Sequence, residues 1–173
     1  LNDDKGVYAL VLTGAGEKFF SAGADLKLFA DGNPDTAREM AEYFGQAFET
    51  LADFRGVSIA AINGFAMGGG FETALSCDII IASEQATFAL PEVKVGFFAA
   101  ASGVQRLSRY IGRLAAQEIM FSGRKVDANE ALSLGMGNRV VPHADLMNVA
   151  MAKATEIASV SPSSVKATKR VLN

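Results

Sequence analysis

One stretch limits the fold of this chain more than any other: VSIAAINGFAMGGGFETALSC, residues 57–77. Its first six residues are apolar on both alternating faces, which describes a strand covered on both sides rather than one with a wet face. Asn63 and Gly64 end that strand, three consecutive glycines follow at 68–70, and the residues behind them have helix-forming composition. The order strand, glycine loop, helix points to an α/β architecture. With 173 residues the chain is expected to form one domain, burying roughly 70% of its unfolded surface. Residues 57–82 are also the most apolar part of the chain, but Asn63, Glu72, Asp78 and four glycines interrupt them. They therefore lack the roughly 20 uninterrupted apolar residues of a membrane helix, and no membrane partner is expected.

The rest of the pattern agrees. Residues 7–13, VYALVLT, read as another doubly covered strand, followed by a turn-rich loop, TGAGEKFFSAGAD, whose Asp25 caps a short helix over LKLFA, 26–30. Asn33 and Pro34 supply a helix cap and a first-turn proline; Ala37, Met40, Ala41, Phe44, Ala47, Phe48 and Leu51 then recur at helical spacing and predict a core-facing stripe. DIIIAS (78–83) and ATFAL (86–90) predict two short strands, Pro91 breaks the second, and VKVG is a turn before the loop FFAAAS. Beyond it VQRLSRYIG, RLAAQEIMFSG and DANEALSLG each predict a helix ending at a glycine. NRVV is a short strand, and ADLMNVAMAKATEIAS and PSSVKATKRVLN are helical. The expected organisation is an α/β core over 1–110 and a helical region of the same domain over 111–173.

Charge and ligand counts exclude several functions. With 16 basic and 19 acidic residues the net charge is -3, so nucleic acid is not an expected partner. A single cysteine, Cys77, and a single histidine, His143, leave no intrachain disulfide and no ligand set for a structural zinc, which fits a reducing, cytoplasmic setting. Cys77 reads as a small buried thiol, His143 as a solvated loop residue, and Arg106, Arg109 and Arg113 as a solvated face that could also meet phosphates.

Two features bear on chemistry. Three glycines in a row cost conformational entropy, so something needs a bare backbone there. Either helix and strand pack closely, or unpaired N–H groups at the helix start seat a phosphate or a developing oxyanion. The cluster fits neither the P-loop pattern nor the dinucleotide glycine spacing. The second feature is a pair of carboxylates in apolar surroundings, Glu72 in GFETAL and Glu92 in LPEVKV. Two carboxylates with pKa values pushed apart can act as base and acid at neutral pH. The plainer alternative makes Glu72 an exposed helix residue and Glu92 a turn cap.

Taken together, LVLTGAGEKFFSAGADLK, AAINGFAMGGGFETALSCDIIIAS, FALPEVKVG, QRLSRYIG and FSGRKVDANEALSLGMGNRVVP resemble the crotonase family, the enoyl-CoA hydratase and isomerase superfamily. Within it, GEKFFSAGADLK and GGGFE look most like carnitinyl-CoA dehydratases and their relatives. The resemblance implies a crotonase-like α/β fold of repeated ββα units with a C-terminal helical region used for oligomerisation. It implies that the N–H groups of Ala24 and Gly69 hold the thioester oxygen of an acyl-CoA, with Glu72 and Glu92 as the catalytic carboxylates. Ala22, Ala24, Asp25, Leu26, Lys27, Gly68 and Gly69 would line the substrate. No metal and no separate cofactor are implied, coenzyme A being part of the substrate. The implied function is an enoyl-CoA hydratase-type lyase of fatty acid metabolism, forming a homo-oligomer, trimer or hexamer.

Two departures stand out against the family pattern. Where hydratases usually carry a proline and several glycines after the residue matching Gly96, this chain has Phe97-Phe98-Ala99-Ala100-Ala101-Ser102-Gly103-Val104, which bears on substrate size and water binding. Family members also begin earlier, with a strand pair and a helix, and extend further at the C-terminal end; the opening on Leu1 reads as a truncation. The alternatives are therefore carnitinyl-CoA dehydration or double-bond isomerisation on the same site, or a non-catalytic acyl-CoA-binding or assembly module.

Overall fold

The computed structural model describes residues 1–29 and 32–172. Strand β1 (Ala9–Thr13) and the short β2 (Phe19–Ser21) precede a 3-10 turn, Leu26–Phe29, and helix α1 (Pro34–Ala52). Strands β3 (Val57–Ile62) and β4 (Phe65–Met67) precede α2 (Gly69–Leu75). Strands β5 (Ile79–Ser83) and β6 (Thr87–Ala89), followed by a 3-10 turn at Glu92–Val95, precede α3 (Gly103–Ile111) and α4 (Arg113–Ser122). Then come β7 (Val126–Asp127), α5 (Ala128–Leu134), β8 (Arg139–Val141), α6 (Leu146–Ala158) and α7 (Pro162–Leu172). The repeated strand, short strand, helix order is the ββα fold that the resemblance implied.

The longer strands form a parallel sheet in the order β1-β3-β5-β8, and the short ones form a second sheet, β2-β4-β6-β7, antiparallel only between β6 and β7. Strand β3 shows why its sequence is apolar at every position but Ser58. All six residues are buried. Ile59 and Ala61 join Ile81 and Val141 under Leu146, Ala150 and Ala154 of α6, whereas Ala60 and Ile62 face Phe71, Leu75 and Phe88 on the other side. At the end of β3 the buried Asn63 accepts from Gly14 N (3.1 Å) and its Nδ2 donates to the carbonyls of Gly14, Gly16 and Phe19, which fixes the β1–β2 loop. Helix α7 is tied down by Lys169, whose Nζ lies 2.7 Å from Asp78 Oδ2 and donates to the carbonyls of Phe54 and Gly56.

The structure corrects the sequence reading in several places. Strands β2 and β4 fall in segments read as loop, β7 joins the unassigned Val126 to Asp127, the expected start of a helix, and the reading of 26–30 as a helix becomes the 3-10 turn; Ala30 lies outside the described residues, as does Asn173 of the last predicted helix. Asn33 and Asp25 do cap as expected, accepting from Asp35 N and Lys27 N. The α1 stripe is not a core face: only Phe48 and Ala52 are buried, and Ala41 and Ala47 are exposed. Its physical reason is that α1 rests on α2 and the Leu26–Phe29 turn, so much of the stripe borders a cavity rather than a sheet.

Candidate active site

Each of the first three strand pairs delivers one piece of the site at the end of its short strand. The β2 end leads into Ala22, Gly23 and Ala24; the β4 end leads into Gly68 and Gly69; the β6 end leads through Pro91 to Glu92. The glycines let the first two pieces touch. A Cβ on Gly23 would sit 2.7 Å from Met67 O and 3.0 Å from Gly69 N, and one on Gly70 would sit 2.3 Å from Ser21 O. Close packing of α2 on the short strands, one of the two readings of the glycine cluster, is therefore what these glycines permit. Ala24 N and Gly69 N have no hydrogen-bond partner among the described residues, and both residues line a cavity of about 330 Å³ together with Glu72 and Glu92.

The two carboxylates are held differently. Glu72 is buried on α2, and its Oε1 accepts backbone N–H groups from Ser102 (2.9 Å) and Gly103 (2.8 Å), both at the start of α3. Two donors on one oxygen fix the carboxyl plane. The Ser76 hydroxyl donates to Glu72 O and lies 3.3 Å from Ser102 Oγ, joining α2 to the same loop. Glu92 is half-buried, its Oε1 close against Gly68, where a Cβ would come within 3.0 Å. Its Oε2 is fully enclosed with no hydrogen-bond partner among the described residues. Burial pushes the Glu92 carboxyl above the usual carboxylate range, and the negative charge of Glu72 adds to the rise, against a lowering from its own backbone N–H. The result is one carboxyl fixed by donors and another biased toward keeping its proton.

Beyond these groups the cavity is walled by Leu26, Ala41 and Phe44 on one side and by Val95, Phe97 and Phe98 on the other. Of the residues expected to line substrate, Ala24, Leu26 and Gly69 border this cavity, and Glu72 is no exposed helix residue. Ala22, Asp25, Lys27 and Gly68 do not line the cavity: Asp25 caps the 3-10 turn, and Gly68, at φ 52°, makes the corner into α2. Reading the sequence did not identify Ser102 and Gly103 as the groups that hold Glu72, because backbone donors some 30 residues away leave no side-chain signal.

Other candidates go elsewhere. His143 is not a solvated loop residue: Nδ1 lies 3.0 Å from Ser83 Oγ and Nε2 lies 2.7 Å from Glu17 Oε2. Ser83 is fully buried, so this trio is a clasp between loops and not a nucleophilic triad. Cys77 is buried as expected, and burial pushes its thiol up to about 12. Arg106 and Arg109 face a separate cleft of about 800 Å³ with Lys166, Lys169 and Arg170, away from the two glutamates.

The sequence matches the enoyl-CoA hydratase/isomerase family over residues 1–173. The chain belongs to that family. Among its relatives is the short-chain-enoyl-CoA hydratase of Clostridium acetobutylicum, 42% identical over the whole of this chain and 66% of that protein. The carnitinyl-CoA dehydratase of Proteus mirabilis is 43% identical over 98% of this chain and 64% of that protein. This member of the family thus spans just under two thirds of the length of both relatives. Among solved structures, that of Pseudomonas aeruginosa DspI is 50% identical and superposes with a TM-score of 0.97 over 99% of this chain and 70% of that one. The expected leaning toward carnitinyl-CoA dehydratases is matched equally by a hydratase.

Proposed function

We propose that this chain carries the catalytic part of an enoyl-CoA hydratase-type hydro-lyase, adding water reversibly to a 2-enoyl-CoA. The observation that carries the reading is the meeting, in one cavity, of two open backbone donors with one donor-held and one enclosed carboxyl. The thioester oxygen is held by Ala24 N–H and Gly69 N–H. Glu72 accepts a proton from a water as its oxygen bonds to Cβ, and the electron pair of the double bond moves onto the thioester oxygen as an enolate. Glu92 then gives its proton to Cα, and exchange with solvent returns the Glu72 proton and restores that of Glu92. The net change is H and OH added across one double bond.

Donors already aimed at the oxygen stabilise the enolate without reorganisation, each worth about 3 kcal/mol. Ala22, Asp25, Lys27 and Gly68 support the loop that places Ala24 and Gly69. No separate cofactor enters the scheme, and coenzyme A arrives with the substrate. The relatives' names, short-chain-enoyl-CoA hydratase and carnitinyl-CoA dehydratase, support a water-adding or water-removing reaction.

The test is steady-state hydration of 2-enoyl-CoA thioesters by the purified chain and its Glu72→Gln and Glu92→Gln variants. Loss of a general acid or base lowers turnover about 10²–10⁴-fold with binding largely kept. Near-normal rates in both variants, or acyl-CoA binding without hydration by the unaltered chain, would overturn the proposal.

A further inference from the structure

We infer that the cavity beyond the glutamate pair selects a medium-length, apolar acyl chain, in preference to a four-carbon or a cationic acyl group. The inference rests on the hydratase reading for its orientation. With the thioester at Ala24 and Gly69 and the reacting carbons between Glu72 and Glu92, the rest of the cavity is bordered by Leu26, Ala41, Phe44, Val95, Phe97 and Phe98, with alanines between them. All six are apolar. Among the described residues no carboxylate lies in this part of the wall, so nothing there pairs with a fixed positive charge on the acyl group.

Size argues in the same direction. A methylene occupies about as much room as a water, ~30 Å³, so about 330 Å³ takes one water, the thioester oxygen and sulfur, and roughly eight carbons. That space exists because α1 presents alanines at 37 and 41, and because the loop after Gly96 presents two phenylalanines. Phe97 and Phe98 remain 47% and 69% exposed, and Leu26 and Val95 56% and 52%. An acyl chain running between them covers this surface, whereas a four-carbon group reaches no further than the glutamates. Each buried methylene strengthens binding about fourfold at most, so four or more of them, incompletely covered, predict a gain of tenfold or more.

The experiment measures kcat/KM for four-, six-, eight-, ten- and twelve-carbon trans-2-enoyl-CoAs and for crotonobetainyl-CoA. Calorimetric binding of the matching saturated acyl-CoAs runs alongside. Expected is a rise of at least about tenfold in kcat/KM from four to eight or ten carbons. Affinity for the saturated series rises with it, and the ratio of ten- to four-carbon kcat/KM collapses in Ala41→Phe, which fills the wall. Fastest turnover of the four-carbon or the cationic substrate overturns the inference while leaving the hydratase reading intact. No hydration of any thioester overturns that reading, and the binding series then decides the inference alone: affinity flat from four to ten carbons overturns it. An unchanged ratio in a folded Ala41→Phe also overturns it.

Discussion

Gly103 is a position at which a single methyl group should do measurable damage near the site. It is the first residue of α3, its N–H holds Glu72, and its backbone conformation is one that alanine also adopts. Strain in Gly103→Ala is therefore purely steric. The new Cβ would sit 2.7 Å from Ala99 Cβ and 3.1 Å from both Glu72 Oε1 and Leu90 Cδ1. Ala99, Leu90 and Glu72 are all buried, so none can swing out. Overpacking of this kind costs about 1–3 kcal/mol; taking about 2, and a urea slope of about 2 kcal/mol per molar, the midpoint falls by about 1 M. Removing the worst neighbour tests the reasoning. Ala99→Gly alone should cost about 1 kcal/mol through chain entropy, yet the double variant should be more stable than Gly103→Ala, giving a favourable coupling of about 1–2 kcal/mol. Turnover should stay low in both Gly103→Ala and the double variant, because the contact with Glu72 Oε1 remains. Additive urea midpoints, or a Gly103→Ala as stable as the parent, would refute the packing argument.

Glu92 should shape the pH dependence. Its folded pKa is raised, so its stabilising contribution is fully present below the unfolded value and is lost as pH rises through the folded one. Glu92→Gln should therefore stabilise the chain at neutral pH and make no difference near pH 4, as read by thermal melts across that range. In the proposed reaction the same group is the proton donor, so it should set the alkaline fall in hydration kcat, displaced upward from the ordinary carboxylate range; a limb that persists in Glu92→Gln would assign it elsewhere. Cys77, with its thiol pushed up to about 12, should resist a thiol reagent in the folded chain and react only in denaturant. Lys169→Ala should cost about 3 kcal/mol in urea unfolding, since it strips the largely buried Asp78 carboxylate of its cation.

Legibility followed the physics of each signal. Strand β3 was readable because a run of six residues, apolar at all but Ser58, admits one explanation once both faces prove to be covered. Strands β2, β4 and β7 were not, because three or two residues cannot establish a period of two, and Phe19–Ser21 and Phe65–Met67 lie beside glycines that signal turns. The four residues assigned to the site on resemblance, Ala24, Gly69, Glu72 and Glu92, do share a cavity. What could not be read is how Glu72 is held, since its partners are main-chain N–H groups that every residue possesses.

The α1 stripe shows the same limit from the other side. Periodicity reports that a face avoids water, not what it avoids water with. Ala37, Ala41 and Phe44 satisfy the pattern of a core helix, yet they border a space with no side chain in it. An apolar face packed on a sheet and one reserved for an apolar ligand obey the same transfer energetics and leave the same sequence trace. They differ in residue size: a core stripe interdigitates large side chains, whereas alanines at 37 and 41 opposite Phe97 and Phe98 leave a gap that the chain does not itself fill. Small residues on a helical stripe facing large exposed aromatics from a distant loop are thus the mark of a pocket. In this chain they bring the departure after Gly96 and the unburied stripe of α1 to one cavity.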